Sequence, residues 1–128
     1  MLNLALIAIG GALGSIARYL SSEIFTNFSR AQQFPIATFF VNAFGSMLAG
    51  VIYYFVIKNF SNFDLKLKNF LFVGFLGGFT TFSAFSLDFF RLFTAGQYPQ
   101  AFLYVFSSVV ISILALFFGF YSMKIIFS

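Results

Sequence analysis

Four long apolar stretches, separated by short polar segments, set the pattern of this chain. The first is Leu2–Tyr19, uncharged until Arg18. A polar segment, Ser21–Phe34, follows with Glu23, Arg30 and two glutamines. Pro35 suits the first turn of a helix, where its missing N–H costs little, and a second apolar stretch continues from it to Ile57 without a charge. Lys58–Lys68 is polar again. The third stretch covers Asn69–Leu87, with Asp88 and Arg91 expected in a last, interfacial turn, and Gly96-Gln97-Tyr98-Pro99 gives a turn signal. The fourth runs from about Gln100 to Ile126, with Lys124 near its end. Each stretch is about twenty residues, the length a helix needs to cross a bilayer. The pattern predicts an all-α membrane protein with helices at about 2–20, 35–57, 69–94 and 100–126, forming a single domain over 1–128. The first stretch shows neither the basic leader nor the small-residue cleavage site of a signal peptide, so it is read as a retained helix.

Composition agrees with that pattern and narrows the chemistry. Hydrophobic residues make up 61% of the chain and charged residues 8%, against about 25% charged in a soluble globule. The mean hydropathy is +0.99. Cys and His are absent, which removes disulfides, thiolate chemistry and the usual general base. No nucleophile–base pair or metal cluster can be assembled, so an enzyme is the least favoured class. The net charge of +4 is spread over the whole chain and forms no basic patch, so no nucleic-acid partner is expected.

The basic residues divide almost evenly between the two membrane faces. Lys58, Lys66, Lys68 and Lys124 fall on one side, and Arg18, Arg30 and Arg91 on the other. Orientation follows an excess of Lys and Arg on one side. This division fits an ordinary protein with weak bias, and it also fits dual topology, with copies inserted both ways. Four short helices pack with their centre filled by side chains, so a transport path would lie between subunits. A head-to-tail pair of inverted copies is the two-chain version of the inverted repeats of many transporters, and a two-fold dimer is the commonest oligomer.

Polar groups inside the spans are costly and face protein or water. In the first helix, Gly10 and Gly14 form a GxxxG ridge, best explained by close helix packing. Arg18, one turn beyond, either snorkels outward or collects anions at a vestibule. Thr38, Asn42 and Ser46 recur at spacing four and share a face of the second helix. An unpaired amide in an apolar medium costs about 4–8 kcal/mol, so Asn42 is bonded to a neighbour or faces a wet path. Tyr104, Ser108 and Ser112 repeat the spacing in the fourth helix. A lone Ser can simply bond its own helix; two aligned stripes can line a narrow path that donates hydrogen bonds to an anion.

The third helix carries the strongest signal, Gly74-Phe75-Leu76-Gly77-Gly78-Phe79-Thr80-Thr81-Phe82-Ser83-Ala84-Phe85-Ser86. Gly77-Gly78 at mid-span followed by two β-branched threonines is poor helix sequence, and a local unwinding is expected there. Unwound backbone at membrane depth survives only where protein buries it or it lines a cavity. Freed carbonyls can coordinate a hard cation such as Na⁺. Phe82 and Phe85 flank Ser83 beside the expected break. The edge of an aromatic ring is electropositive, so it can contact a small anion.

On these residues the sequence resembles the Fluc-type (CrcB) fluoride channels of microorganisms. The likeness is carried by GGFTTFSAF, TFFVNAFGS in the second helix and GGALGSIARY in the first, and it extends over the four-span layout. The resemblance implies a fluoride-selective channel of the cell membrane, an antiparallel dual-topology homodimer with two separate pores. It implies that Phe82 and Phe85 line the pores with Asn42 and Ser83 as polar partners. It implies a structural Na⁺ at the dimer interface, held by the backbone carbonyls of Gly77 and Thr80 of both chains. Arg18 would be the vestibule arginine, and Tyr104, Ser108 and Ser112 the fourth-helix polar track. Thr38 is a further donor toward the ion, and Ala84 and Phe79 stand where the family varies.

Two other functions are compatible with four short helices. A small multidrug/proton antiporter needs a membrane-buried carboxylate. The first helix has none, and Glu23 and Asp88 are expected near span ends. A non-transporting structural subunit would use the phenylalanine-rich, GxxxG-bearing surface for packing alone.

Overall fold

The computed structural model describes residues 1–29, 34–59 and 64–128. Among them are four helices long and apolar enough to cross a membrane: α1 (Leu2–Ser29), α2 (Ile36–Lys58), α3 (Leu65–Thr94) and α4 (Tyr98–Phe127). Arg30, Gln32, Gln33, Ser61 and Asn62, expected in the polar connections, lie outside the described residues.

α1 continues well past the expected end near residue 20. The segment from Ser21 was read as a loop for its polarity, yet its hydroxyls need no water. Ser21 Oγ donates to the Ala17 carbonyl at 2.8 Å, and Thr26 Oγ1 to that of Ser22 at 2.7 Å, the i−4 back-bond that lets Ser and Thr sit inside a helix. Arg18 therefore lies within α1 rather than in its last turn.

α3 is interrupted. It opens as α-helix at Leu65–Lys68, with the Asp64 carboxylate accepting the Lys66 N–H, and widens into π-helical backbone over Asn69–Leu76. Gly77–Phe79 return to α-geometry. Thr80 and Thr81 are extended (φ −79°, ψ 154° and φ −151°, ψ 119°), and the helix resumes over Phe82–Thr94. The expected unwinding is present, and within the Gly77–Thr81 stretch it falls on the two threonines. β-branched side chains lose rotamer freedom in a helix and favour extended backbone, and Thr81 gains as well by capping. Its Oγ1 accepts the Ala84 N–H at 3.1 Å, the bond a helix N-cap makes.

The helices pack as two pairs, α1 with the first half of α3 and α2 with α4. In the first pair a Cβ on Gly14 would collide with the Phe75 carbonyl oxygen, so the GxxxG ridge serves backbone-to-backbone contact within the chain. At the far end of the second pair, Lys58 Nζ donates to the Phe127 carbonyl. A smaller core of Leu92, Ala101 and Tyr104, with Phe34, Phe39, Phe85 and Phe89 packed on it, joins the second half of α3 to α4. Only 11–28% of each span is buried within the chain, so most of the apolar surface must meet lipid or another protein surface.

Candidate functional site

The interruption in α3 is held open by one side chain of α2. Asn42 Oδ1 accepts the Thr81 N–H at 2.8 Å, and its Nδ2 donates to the Thr81 carbonyl at 3.0 Å. The amide thus replaces a peptide neighbour at the break and satisfies groups that lipid cannot. In an unbroken helix the Thr81 N–H would bond the Gly77 carbonyl and the Ala84 N–H the Thr80 carbonyl. Here those donors go to Asn42 and to Thr81 Oγ1, which leaves both carbonyls without their helical partners. Gly45, one turn below Asn42, makes the approach feasible, because a Cβ there would strike the Thr80 methyl.

A cavity of about 490 Å³ opens beside the break, with Asn42, Ser46, Gly77, Thr80, Thr81, Phe82, Phe85, Ser108 and Ser112 among its lining residues. It brings together most of the residues singled out by the sequence. The Phe82 and Phe85 rings lie 5.4 Å apart at 42°. Phe82 is 78% exposed, whereas Phe85 is half-buried and packs on Tyr104 at 5.3 Å. Ser108 Oγ is buried with no partner among the described residues, and it borders a cavity from which a donor or acceptor can reach it. Ser83 does not line this cavity. It is exposed, and its Oγ sits 3.2 Å from Thr81 Oγ1.

Thr38 and Tyr104 meet elsewhere, on Asp88. Thr38 Oγ1 donates to Asp88 Oδ2 at 2.7 Å, and the fully buried Tyr104 hydroxyl stands 3.5 Å from the same oxygen. Asp88 Oδ1 pairs with Arg91 Nη1 at 3.3 Å. Asp88 was expected in an interfacial last turn. It is instead buried at 9% exposure near the middle of the Phe82–Thr94 segment. A charge inside a span reads as its end only when its partners are invisible, and Thr38 and Tyr104 lie 50 and 16 residues away in sequence.

Arg18 lines a separate cavity of about 290 Å³ with Ser15, Tyr19, Ser22, Thr38, Val41, Thr81 and Ala84. Among the described residues the one ion pair is Arg91–Asp88, so the Arg18 guanidinium faces this cavity without a carboxylate partner. It shares Thr38 with the Asp88 cluster and Thr81 with the break.

Sequence comparison places this geometry among known proteins. The chain is 42% identical over 119 residues to a protein of Agrobacterium fabrum (strain C58) named fluoride-specific ion channel FluC, covering 93% of this chain and 94% of the relative. Proteins of the same name from Campylobacter fetus subsp. fetus (40% over 126 residues, covering 95% and 94%) and Phocaeicola vulgatus (41% over 119 residues, covering 93% and 96%) match equally broadly. The family model described as CrcB-like protein, Camphor Resistance (CrcB), matches residues 5–120. With four bilayer-length helices and relatives of this kind along nearly its whole length, the chain is a multi-pass membrane protein and belongs to the CrcB family.

Proposed function

We propose that the protein is a fluoride-selective channel, not an enzyme, that lets fluoride leave the cytoplasm passively. Hydrogen fluoride crosses the membrane, dissociates at cytoplasmic pH, and the trapped anion exits through the channel. The observation that carries the proposal is the Asn42-clamped interruption of α3, opening onto a cavity lined by two phenyl rings and serine hydroxyls, of which the buried Ser108 has no partner among the described residues. The relatives' name points the same way.

Fluoride is small and strongly hydrated, so a selective path must replace its water with donors in a narrow space. Ser108 and Ser112 supply hydroxyls, the Asn42 amide lines the same cavity, and the edges of Phe82 and Phe85 supply weakly positive C–H groups. Thr38, whose hydroxyl donates to Asp88, stands one turn from Asn42 on α2. Ser83 sits beside Thr81 as a further donor. Arg18 in its cavity raises the local anion concentration at the approach.

The working unit is an antiparallel dual-topology homodimer with two pores. The support is physical: the cavity beside the break carries polar side chains and free carbonyls, which hydrocarbon cannot cover, and a second copy offers the same groups in return. The freed carbonyls of Gly77 and Thr80 fit a hard monovalent cation. Donated by both chains, they would hold a structural Na⁺ at the interface, where the ion supplies a fixed positive charge between the copies.

A small drug/proton antiporter needs a buried carboxylate. Asp88 is one, so the absence of such a group no longer separates the two functions. What favours the channel is that Asp88 is already engaged by Thr38 and Arg91, together with the relatives' name.

Efflux from liposomes holding only this protein, driven by a K⁺ gradient and valinomycin, tests the proposal. Rapid fluoride loss with chloride retained is expected. Silence on both ions from a folded dimer would leave the packing-subunit function in its place. Exchange of Na⁺ for a larger cation during purification should weaken the dimer or the flux, and indifference would remove the central cation.

A further inference from the structure

A third cavity, also polar, lies where the second half of α3 turns into α4. Pro35, Asp88, Arg91, Leu92, Ala95 and Gln97 line about 240 Å³ there, room for several waters at roughly 30 Å³ each. Gln97 Oε1 is buried with no donor among the described residues, and it faces a cavity that can admit one. At the inner end stands Asp88, with Thr38 from α2, Tyr104 from α4 and Arg91 from its own helix around the carboxylate. Thr38 precedes Asn42 by one helical turn, and Tyr104 precedes Ser108 by one turn. The cluster therefore continues the two polar stripes outward from the break.

That placement poses an electrostatic problem. A buried carboxylate on the line between the break and water would repel an approaching anion, and its low-dielectric surroundings would strengthen the repulsion. Arg91 is placed to answer it. The Asp88 side chain is 11% exposed and the Arg91 side chain 73%. The guanidinium spends one N–H on Asp88 and keeps the remaining donors of its five for water or an anion.

On the basis of the channel function proposed above, we propose that this cavity is a mouth of the ion path and that Arg91 sets its charge, cancelling the Asp88 carboxylate so that fluoride can pass between water and the Thr38–Tyr104 pair. Arg91 acts here as a positioning residue, through Asp88.

Fluoride efflux from liposomes is compared for the wild type, Arg91→Gln, Arg91→Lys and the double variant Asp88→Asn/Arg91→Gln, each checked for dimer and helix content. Arg91→Gln should slow efflux about tenfold, a charge effect reduced by the exposure of the guanidinium. Arg91→Lys should keep most of the flux, and the double variant should recover most of the loss, because no charge is left to cancel. Unchanged flux in Arg91→Gln, or a well-folded double variant no faster than the single one, would overturn the proposal. A second measurement does not depend on the single variant folding. Raising ionic strength with an impermeant salt screens an exposed guanidinium, so wild-type efflux should slow while the double variant holds steady; equal responses would overturn it as well. A wild type that carries no fluoride would instead sink the channel function, and this inference with it.

Discussion

The two faces of α3 are built on opposite principles. Toward α1, its first half meets a helix through glycines, with backbone against backbone and no room for a side chain. Toward α2 and α4, the interruption looks onto a cavity, with hydroxyls, a carboxamide and phenyl rings around it. One face removes volume so that the helix is fixed; the other leaves volume and fills its rim with donors. A broken helix in a membrane needs both. Close contact on one side makes the break reproducible, and polar cover on the other makes it tolerable.

Substitutions on each face should separate these roles, beginning with the largest effect. Asn42→Asp keeps the acceptor for the Thr81 N–H but loses the donor for its carbonyl and sets a carboxylate beside the anion path. Fluoride efflux should fall about a hundredfold, equivalent to about 2.7 kcal/mol in the barrier. Full activity in liposomes would mean that the clamp and the path are unrelated.

Gly14→Ala strikes the other face. Overpacking there should cost about 1–3 kcal/mol of stability, seen as a lower unfolding midpoint in denaturant, while the flux per folded protein stays near wild type. A folded but silent Gly14→Ala would merge the two faces into one functional unit. Phe82→Ile and Phe85→Ile, on the cavity side, should each reduce fluoride efflux about tenfold, or about 1.4 kcal/mol, with the gel-filtration profile unchanged. Normal flux in both would remove the rings from the path. Ser108→Ala is the gentlest change. Its hydroxyl bonds nothing among the described residues, so thermal stability should hold or rise slightly, with a loss of flux of only about threefold, under 1 kcal/mol. A marked loss of stability would show that the hydroxyl has a structural partner, as a second copy would supply in the proposed dimer.

What the sequence could reveal divides along the same line as local and distant causes. The four spans follow from runs of apolar residues, and the interruption of α3 follows from a stretch that suits no helix. Which residues of that stretch leave the helix was not legible, because intrinsic propensity describes an isolated helix. Gly77 and Gly78 stay helical here, and the extended backbone goes to the threonines that Asn42 and the Thr81 cap can satisfy. The partner that decides this lies 39 residues away. α1 outruns its expected end because Ser21 and Thr26 bond their own helix, which polarity alone does not indicate. The stripes of α2 and α4 were visible from their spacing, but their division was not. Asn42, Ser46, Ser108 and Ser112 face the large cavity, while Thr38 and Tyr104 turn to Asp88. Gln97 and Arg91 gave no signal beyond a turn motif and an interfacial charge, since their importance lies in a cavity that exists only once α3 and α4 have met.

The Asn42 clamp also bears on how the protein is made. A ribosome delivers α2 to the membrane before α3, so the carboxamide precedes by 39 residues the peptide group that it serves. When the interrupted helix leaves the insertion machinery, its replacement donor and acceptor already stand in the bilayer, and so do the glycines of α1. The order of elements along the chain thus spares the nascent α3 any interval in which its open backbone must face lipid alone, and a circular rearrangement that placed α3 first would forfeit that protection.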